Sequence, residues 1–348
     1  MTPRRVKRLL QVGSVPIGGL SPISVQTMLS DDPYDVETIV EHIEKCARVG
    51  AQIVRLAMPD IKATDALKQI KKRSSLPIVS DIHFDYRIAL AAIEAGTDAL
   101  RLNPGNIGNK ENVRLVARAA QDRGIPIRIG VNGGSLEKGE SLVSSALSHL
   151  KILESEGFRD VVLSVKASNV IETIEAYREL DKLVDCPLHI GLTEAGTFLR
   201  GAVHSSVALG VLLAEGIGDT IRVSLTDTPE KEVQVGQEIL RALNLRSQGI
   251  SVTSCPTCGR TKVPLKDVAD KVEAAIAEQF PSSQVYQSIR VAVMGCVVNG
   301  PGEAKGSDIA LCGGDGQFIL YIHGKPLRAV AQENAAEIVI EEIAKLML

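Results

Sequence analysis

Between residues 22 and 245 the chain repeats one theme: a short apolar run, a polar turn, an amphipathic stretch, then Gly or Pro before the next run. The apolar runs fall at 23–29, 52–58, 77–83, 99–103, 126–131, 161–167, 187–193 and 220–226. Helical patterns follow them. In 35–49, for example, Val36, Ile39, Val40, Ile43 and Ala47 share one face. Gly50, Gly96, Gly124 and Gly157 stand where a left-handed residue closes a helix. Strands alternating with helices pair in parallel through right-handed crossovers. Eight such units in about 220 residues predict an α/β fold with a closed (β/α)8 TIM barrel rather than an open doubly wound sheet. No Gly-x-Gly-x-x-Gly follows an early strand to favour the open form. Residues 6–21 read as a small hairpin or arm plugging the N-terminal mouth of the barrel.

After Leu245 the rhythm changes. A short polar linker, 246–249, leads to a strand at 250–253, a cysteine turn, a helix at 267–279 and a strand at 289–294. A second turn, apolar runs at 309–311 and 318–323 and a helix at 335–346 complete a small α/β domain. The expected boundaries are 1–245 and 250–348, and 348 residues at 45% hydrophobic content suffice for two cores. A net charge of −3 and 3% aromatics without Trp argue against nucleic-acid or anionic-membrane binding. No apolar run is long enough for a membrane span, and Gly13, Pro16, Gly18 and Gly19 break the start before a signal-peptide core forms. The chain reads as cytoplasmic, with reduced cysteines. Cys46 and Cys186 read as packing residues.

In such a barrel, function gathers at the C-terminal ends of the strands. There the sequence places Arg55, Asp81, His83, Arg101, Asn103, Arg128, Asn132, Lys166, Glu194, Arg222 and Ser224. Any one of them could be a salt-bridged strand-end residue. Five cations from five strands are harder to assign to structure alone, and the arginine fork suits phosphate oxygens. A small polyanion, most simply a diphosphate, is the implied ligand. Gly105, Gly108, Gly133 and Gly134 are further candidates, to bring backbone N–H groups to phosphate.

Cys255-Pro-Thr-Cys258 and, farther on, Cys296 offer three thiolates, which favour zinc or iron–sulfur over hard cations. Spacing alone leaves both open, because a structural zinc site needs a second knuckle and Cys296 has no nearby Cys or His. Cys312 lies before a Gly-rich hairpin and reads as a strand residue. Glu303 follows Cys296 across Asn299-Gly-Pro-Gly, a run expected to form an irregular turn. A carboxylate there is a candidate fourth, exchangeable ligand.

CPTCGR and MGCVVNGPGEA resemble the signature of 4-hydroxy-3-methylbut-2-enyl diphosphate synthases, iron–sulfur enzymes of the non-mevalonate isoprenoid pathway. IGGLSPISVQTM, GAQIVRLAMP, DIHFDYRIAL, LRLNPGNIG, IRIGVNGGSL, LSVKAS, GLTEAG and GIGDTIRVSL extend the resemblance over nearly the whole chain. The length matches the family's two-domain form.

The resemblance implies a [4Fe-4S] cluster on Cys255, Cys258, Cys296 and Glu303. It implies contacts to 2-C-methyl-D-erythritol 2,4-cyclodiphosphate from Arg55, Arg101, Arg128, Asn132, Lys166 and Ser224. Strand-end position adds Arg222, Asp81, His83 and Glu194; Glu303, Asp81, His83 and Glu194 are the candidate proton donors. The implied reaction is reductive ring opening and dehydration to 4-hydroxy-3-methylbut-2-enyl diphosphate. Ferredoxin or flavodoxin would supply the electrons, and the working unit would be a homodimer in which one subunit's cluster domain closes its partner's barrel. Two other classes compete: a barrel lyase or transferase with a zinc-stapled tail, and a zinc-ribbon interaction module. Glu303 separates both from the synthase, since a zinc staple needs no carboxylate there.

Overall fold

The computed structural model describes residues 2–136, 139–246, 248–281 and 285–347. It divides into two compact units, 1–245 and 246–348.

The first unit opens with a hairpin, β1 (Leu10–Val12) and β2 (Val15–Ile17). Strands and helices then alternate: β3 (Ser24–Met28), α1 (Val36–Arg48), β4 (Ile53–Ala57), α2 (Lys62–Arg73), β5 (Ile78–Asp81), α3 (Tyr86–Glu94), β6 (Ala99–Arg101), α4 (Lys110–Arg123). The second half continues with β7 (Ile127–Asn132), α5 (Leu142–Ser155), β8 (Val161–Lys166), α6 (Val170–Leu183), β9 (His189–Gly191), α7 (Phe198–Ala214), β10 (Thr220–Arg222) and α8 (Pro229–Ala242). β3 to β10 pair in parallel, each beside its neighbour in sequence, with β10 returning to β3. The β8/β9 seam is closed by the Leu163–Leu188 bridge and by Leu163 N–H donating to Pro187 O at 3.0 Å. The expected TIM barrel is what forms, and Gly50, Gly96, Gly124 and Gly157 all have positive φ.

Strand alternation builds the barrel's two sides. One parity, including Val54, Leu56, Ile78, Leu100, Ile127, Ile129, Leu163 and Val165, is buried in the main core that the surrounding helices share. The other parity faces inward and grows polar along each strand: Ile53 then Arg55, Val79 then Asp81, Ala99 then Arg101, Val162 then Ser164 and Lys166, Thr220 then Arg222. At the bottom, Val12 and Ile17 pack on Ile53, Val79 and Ala99, so the hairpin plugs the N-terminal end as expected.

The second unit is a five-stranded sheet in the order β11 (Gly249–Ser254), β12 (Ser288–Met294), β13 (Ile309–Gly313), β14 (Phe318–Ile322), β15 (Lys325–Val330). The first three strands run parallel and the last two antiparallel. α9 (Leu265–Gln279) and α11 (Ala335–Met347) bury Val268, Val272, Val339 and Ile343 against Ile289, Val291, Leu311 and Leu320.

Two differences from expectation have physical reasons. The Gly-Pro-Gly run after Cys296 forms a short helix, α10 (Gly300–Gly306), not an irregular turn. Pro301 occupies the first helical turn, where its missing N–H costs nothing. Gly300 is needed because a Cβ there would meet Cys312 Sγ at 2.8 Å. β15 was not foreseen; its Lys, Pro and Arg suit an exposed edge strand.

Candidate active site

The inward-facing polar residues meet in a cavity, open to solvent, at the C-terminal end of the barrel. Its lining includes Arg55, Asp81, His83, Arg101, Arg128, Asn132, Lys166, Arg222 and Ser224. The structure thus brings together nine of the strand-end residues singled out in the sequence. Glu194 is not among them: 189, 191 and 193 share the inward parity, and Glu194 is exposed on the rim with φ 53°. Asn103 lies behind the wall, where its side-chain oxygen accepts from Gly130 N at 3.0 Å.

Asp81, 2% exposed, organises one side. Arg101 donates to it at 3.2 Å, while Arg55 and His83 lie 3.6 and 3.5 Å from its other oxygen. Burial alone pushes the Asp81 carboxyl up, but His83, Arg55 and Arg101 together outweigh it and hold the group well below the usual carboxylate range. Arg101 also reaches across β7 to Gly130 O at 2.7 Å, where any Cβ on Gly130 would collide with its guanidinium. Arg55 also turns Nε and Nη2 toward the Met28 sulfur, a weak acceptor.

Glu232, from α8, organises the other side. It accepts from Thr27 Oγ1 and Leu225 N, each at 2.9 Å, and from Arg222 at 3.3 Å. Arg128 donates to the Gln26 side chain. Lys166 contacts His189 Nε2 at 3.4 Å. Burial, reinforced by neighbouring cations, lowers Arg128, Lys166 and His189 well below their ordinary values and Arg55 to about 10. Among the described residues, Arg128 Nη2, Arg222 Nε and His189 Nδ1 are buried without a partner. Four arginines and a buried lysine therefore stand against two carboxylates, with donors left over among the described residues, and a polyanion answers both deficits.

Glu232, Gln26 and His189 were missed in the sequence. His189 carries the inward parity of its strand and was recoverable from it. Glu232 stands one helical turn before Gly236, on the buried face of α8. Gly105 N–H is already given to His149 Nδ1 at 3.2 Å, and none of Gly105, Gly108, Gly133 or Gly134 lines the cavity, which corrects the expected role of those glycines.

In the second unit, Cys255 and Cys296 leave the C-terminal ends of β11 and β12, which are adjacent and parallel. Cys255 Sγ accepts from Gly295 N at 3.3 Å, one residue before Cys296, and the residue packs against a small cluster of Ala292, Met294, Ala304, Ala310 and Cys312. Cys258 is exposed, and the backbone N–H of Arg260 draws its thiol below the ordinary value. Cys312, inside β13, is buried, and burial pushes its thiol up to about 12. Among the described residues no three His, Cys, Asp or Glu side chains stand at metal-binding spacing. All six cysteines are free, and no helix is long and apolar enough to cross a membrane among the described residues.

Two solved structures share the barrel fold at low identity. A type I 3-dehydroquinate dehydratase from Clostridium difficile matches with TM-score 0.53 at 13% identity, over 69% of this chain and 98% of that one. The Yersinia pestis dihydropteroate synthase matches with TM-score 0.51 at 14% identity, over 68% and 98%. Sequence comparison reaches much further. Residues 7–237 match the GcpE TIM-barrel domain and residues 251–345 the GcpE protein C-terminal domain. The 4-hydroxy-3-methylbut-2-en-1-yl diphosphate synthase (flavodoxin) of Caldanaerobacter subterraneus subsp. tengcongensis is 49% identical over 99% of this chain and 98% of its own. The synthase of the same name from Clostridium tetani is 50% identical over 97% and 98%. Identity at that level, sustained through both units, means that this chain belongs to the 4-hydroxy-3-methylbut-2-en-1-yl diphosphate synthase family.

Proposed function

We propose that the barrel mouth binds 2-C-methyl-D-erythritol 2,4-cyclodiphosphate and that the chain reductively opens and dehydrates it to 4-hydroxy-3-methylbut-2-enyl diphosphate, with flavodoxin as electron donor. The observation that carries the substrate class is the convergence of Arg55, Arg101, Arg128, Lys166 and Arg222, from five strands, on one cavity, where among the described residues Asp81 on the lining and Glu232 behind Arg222 are the carboxylates paired with them. Buried arginines with spare donors hold phosphate oxygens by charge-assisted, directional bonds, which orients the ring before reaction. Asn132 and Ser224 supply neutral contacts on the same lining. Asp81 acts by positioning Arg55 and Arg101, because a carboxyl held so far below its usual range stays ionised and has no proton to give. His83, Glu194 and Glu303 are then the proton donors that variants have to separate.

In the second unit we assign a [4Fe-4S] cluster to Cys255, Cys258, Cys296 and Glu303. The donor set fits. Three thiols and a carboxylate lie on turns and a short helix beyond the ends of adjacent strands, one sulfur already accepts a backbone N–H, and Cys312 is walled off. Ligands of this kind are drawn together by the group they bind. When bound, the cluster supplies electrons one at a time and an iron that acts as Lewis acid toward the departing oxygen. The working unit is a homodimer, which mass measurement on the anaerobic protein tests.

The deciding experiment is anaerobic iron and sulfide analysis of the wild type and Glu303→Ala, with turnover of the cyclic diphosphate by reduced flavodoxin. Iron and sulfide in [4Fe-4S] proportion, a spectrum altered by the variant, and product formation are expected. One zinc per chain after anaerobic reconstitution, indifferent to the Glu303 change, would refute the cluster assignment. A loaded protein that leaves the cyclic diphosphate untouched would refute the substrate.

A further inference from the structure

The carboxylates of the mouth are not shared evenly among its cations. Asp81 is taken by Arg101 and Arg55, with His83 beside it, and Glu232 by Arg222. Among the described residues no carboxylate lies within ion-pair distance of Lys166, whose polar partner is the ring of His189 at 3.4 Å. His189 is itself 1% exposed and has no partner for Nδ1, while its backbone oxygen is held by Tyr177 at 2.6 Å. The remaining neighbours bring no free negative charge. Arg128 and Asn132 come from β7, Arg55 from β4 and Arg222 from β10; Glu232, from α8, is already engaged. Burial keeps the Tyr177 phenol, from α6, protonated. Gly191 makes room for the amine, since a Cβ there would lie 2.8 Å from Lys166 Nζ. Burial next to like charge favours the neutral amine in the empty site.

The charge count then becomes specific. With Lys166 neutral, four arginines against two carboxylates leave a surplus that matches a dianion. A cyclic diphosphate is a dianion, because each phosphorus is esterified to the carbon skeleton, joined through the bridging oxygen, and left with one strongly acidic oxygen. Ring opening breaks one C–O bond and leaves its electron pair on the phosphate oxygen. Overall the dianion gains two electrons from the reductant and one proton, which departs with the hydroxyl as water, and the open-chain diphosphate is a trianion.

We propose that Lys166, backed by His189, takes a further proton from solvent to balance the charge that ring opening adds, so that the site holds the cyclic ester beside an amine and the open-chain diphosphate beside an ammonium. This rests on the diphosphate reading of the mouth. It makes Lys166 a sensor of reaction progress as well as a phosphate contact, and it makes product affinity fall more steeply than substrate affinity as pH rises.

The test is calorimetric titration of the anaerobic, cluster-loaded enzyme without reductant, using the cyclic substrate and then the open-chain product. Two buffers of different ionisation enthalpy are compared at mildly alkaline pH, where the free diphosphate is itself fully ionised. Uptake of about one proton per site with the open-chain ligand, against little with the cyclic one, is expected. Lys166→Arg, whose charge is fixed, should abolish the difference; Lys166→Met serves if the larger guanidinium is not accommodated beside Gly191. Equal uptake with both ligands, or a difference that survives in a folded variant, overturns the inference alone. Failure of both ligands to bind the wild type overturns the diphosphate reading together with it.

Discussion

Asp81→Asn is the most informative single change in the barrel. The side chain is 2% exposed and is the shared anionic partner of Arg55 and Arg101, with His83 on the same oxygen as Arg55. The amide keeps the shape, removes the charge and turns a donor toward a guanidinium. Leaving buried cations uncompensated costs about 3–5 kcal/mol. At roughly 2–4 °C per kcal/mol for a unit of this size, the barrel's Tm should fall by about 6–20 °C. Because the lost partner was an anion, a bound diphosphate should repair part of the damage, so ligand should raise the variant's Tm by more than it raises the wild type's. The pH dependence should change too. The folded-state carboxyl is depressed, so its contribution is fully present above the unfolded value, about 3.9, and is lost as pH falls through the lower folded value. That acid-side loss should be missing from the variant. Scanning calorimetry of the anaerobic protein, with and without the cyclic diphosphate and over a series of pH values, measures all three effects. An unchanged Tm, or a ligand-induced rise no larger than the wild type's, would refute the account of Asp81 as the organiser of this wall.

Glu232→Gln can keep the contacts to Thr27 and Leu225 N but removes the negative charge that pairs with Arg222, and should raise KM by roughly tenfold with kcat less affected. Steady-state kinetics that show the reverse split would place Glu232 in the chemistry. Gly191→Ala puts a methyl 2.5 Å from Arg222 O and 2.8 Å from Lys166 Nζ, so diphosphate affinity and Tm should both drop in titration and thermal melts. Wild-type affinity there would mean that Lys166 is not confined as described. Cys46, Cys186 and Cys312, with thiols pushed up to about 12, should resist alkylation of the native protein at neutral pH and react on unfolding, as mass spectrometry can count.

The barrel was legible because its two periodicities are both written in the residues. Helical faces such as that of α1 and strand-end charges such as Arg55 and Arg101 need only local pattern and the parity of a strand. Glu232 was not legible, because on a helix surface a glutamate belongs to solvent, and only the tertiary placement of α8 turns it onto Thr27 and Arg222. The sequence singled out Glu194 by its nearness to a strand end, yet the parity of β9 sends His189 inward and leaves Glu194 on the rim. In the second unit the Gly-Pro-Gly run was misjudged, since low helix propensity is overridden where α10 packs Gly300 and Ala304 near Cys312. β15 escaped because an exposed edge strand has no buried face to produce alternation.

The hairpin floor has a consequence for how the chain is made. It is built from residues synthesised before the barrel strands, yet its anchors arrive late: Arg8 binds Asp185, 177 residues downstream, Arg4 lies beside Asp219, and Thr2 N–H reaches Ala214 O. At about 5–20 residues per second, the leading segment waits roughly 10–35 s before Asp185 exists. Throughout that interval Val12 and Ile17 have no completed barrel to cover. The contacts that lock the arm to the barrel therefore form only after residues 185–219 have been made, whereas the apolar seat of Val12 and Ile17 on Ile53, Val79 and Ala99 is available earlier.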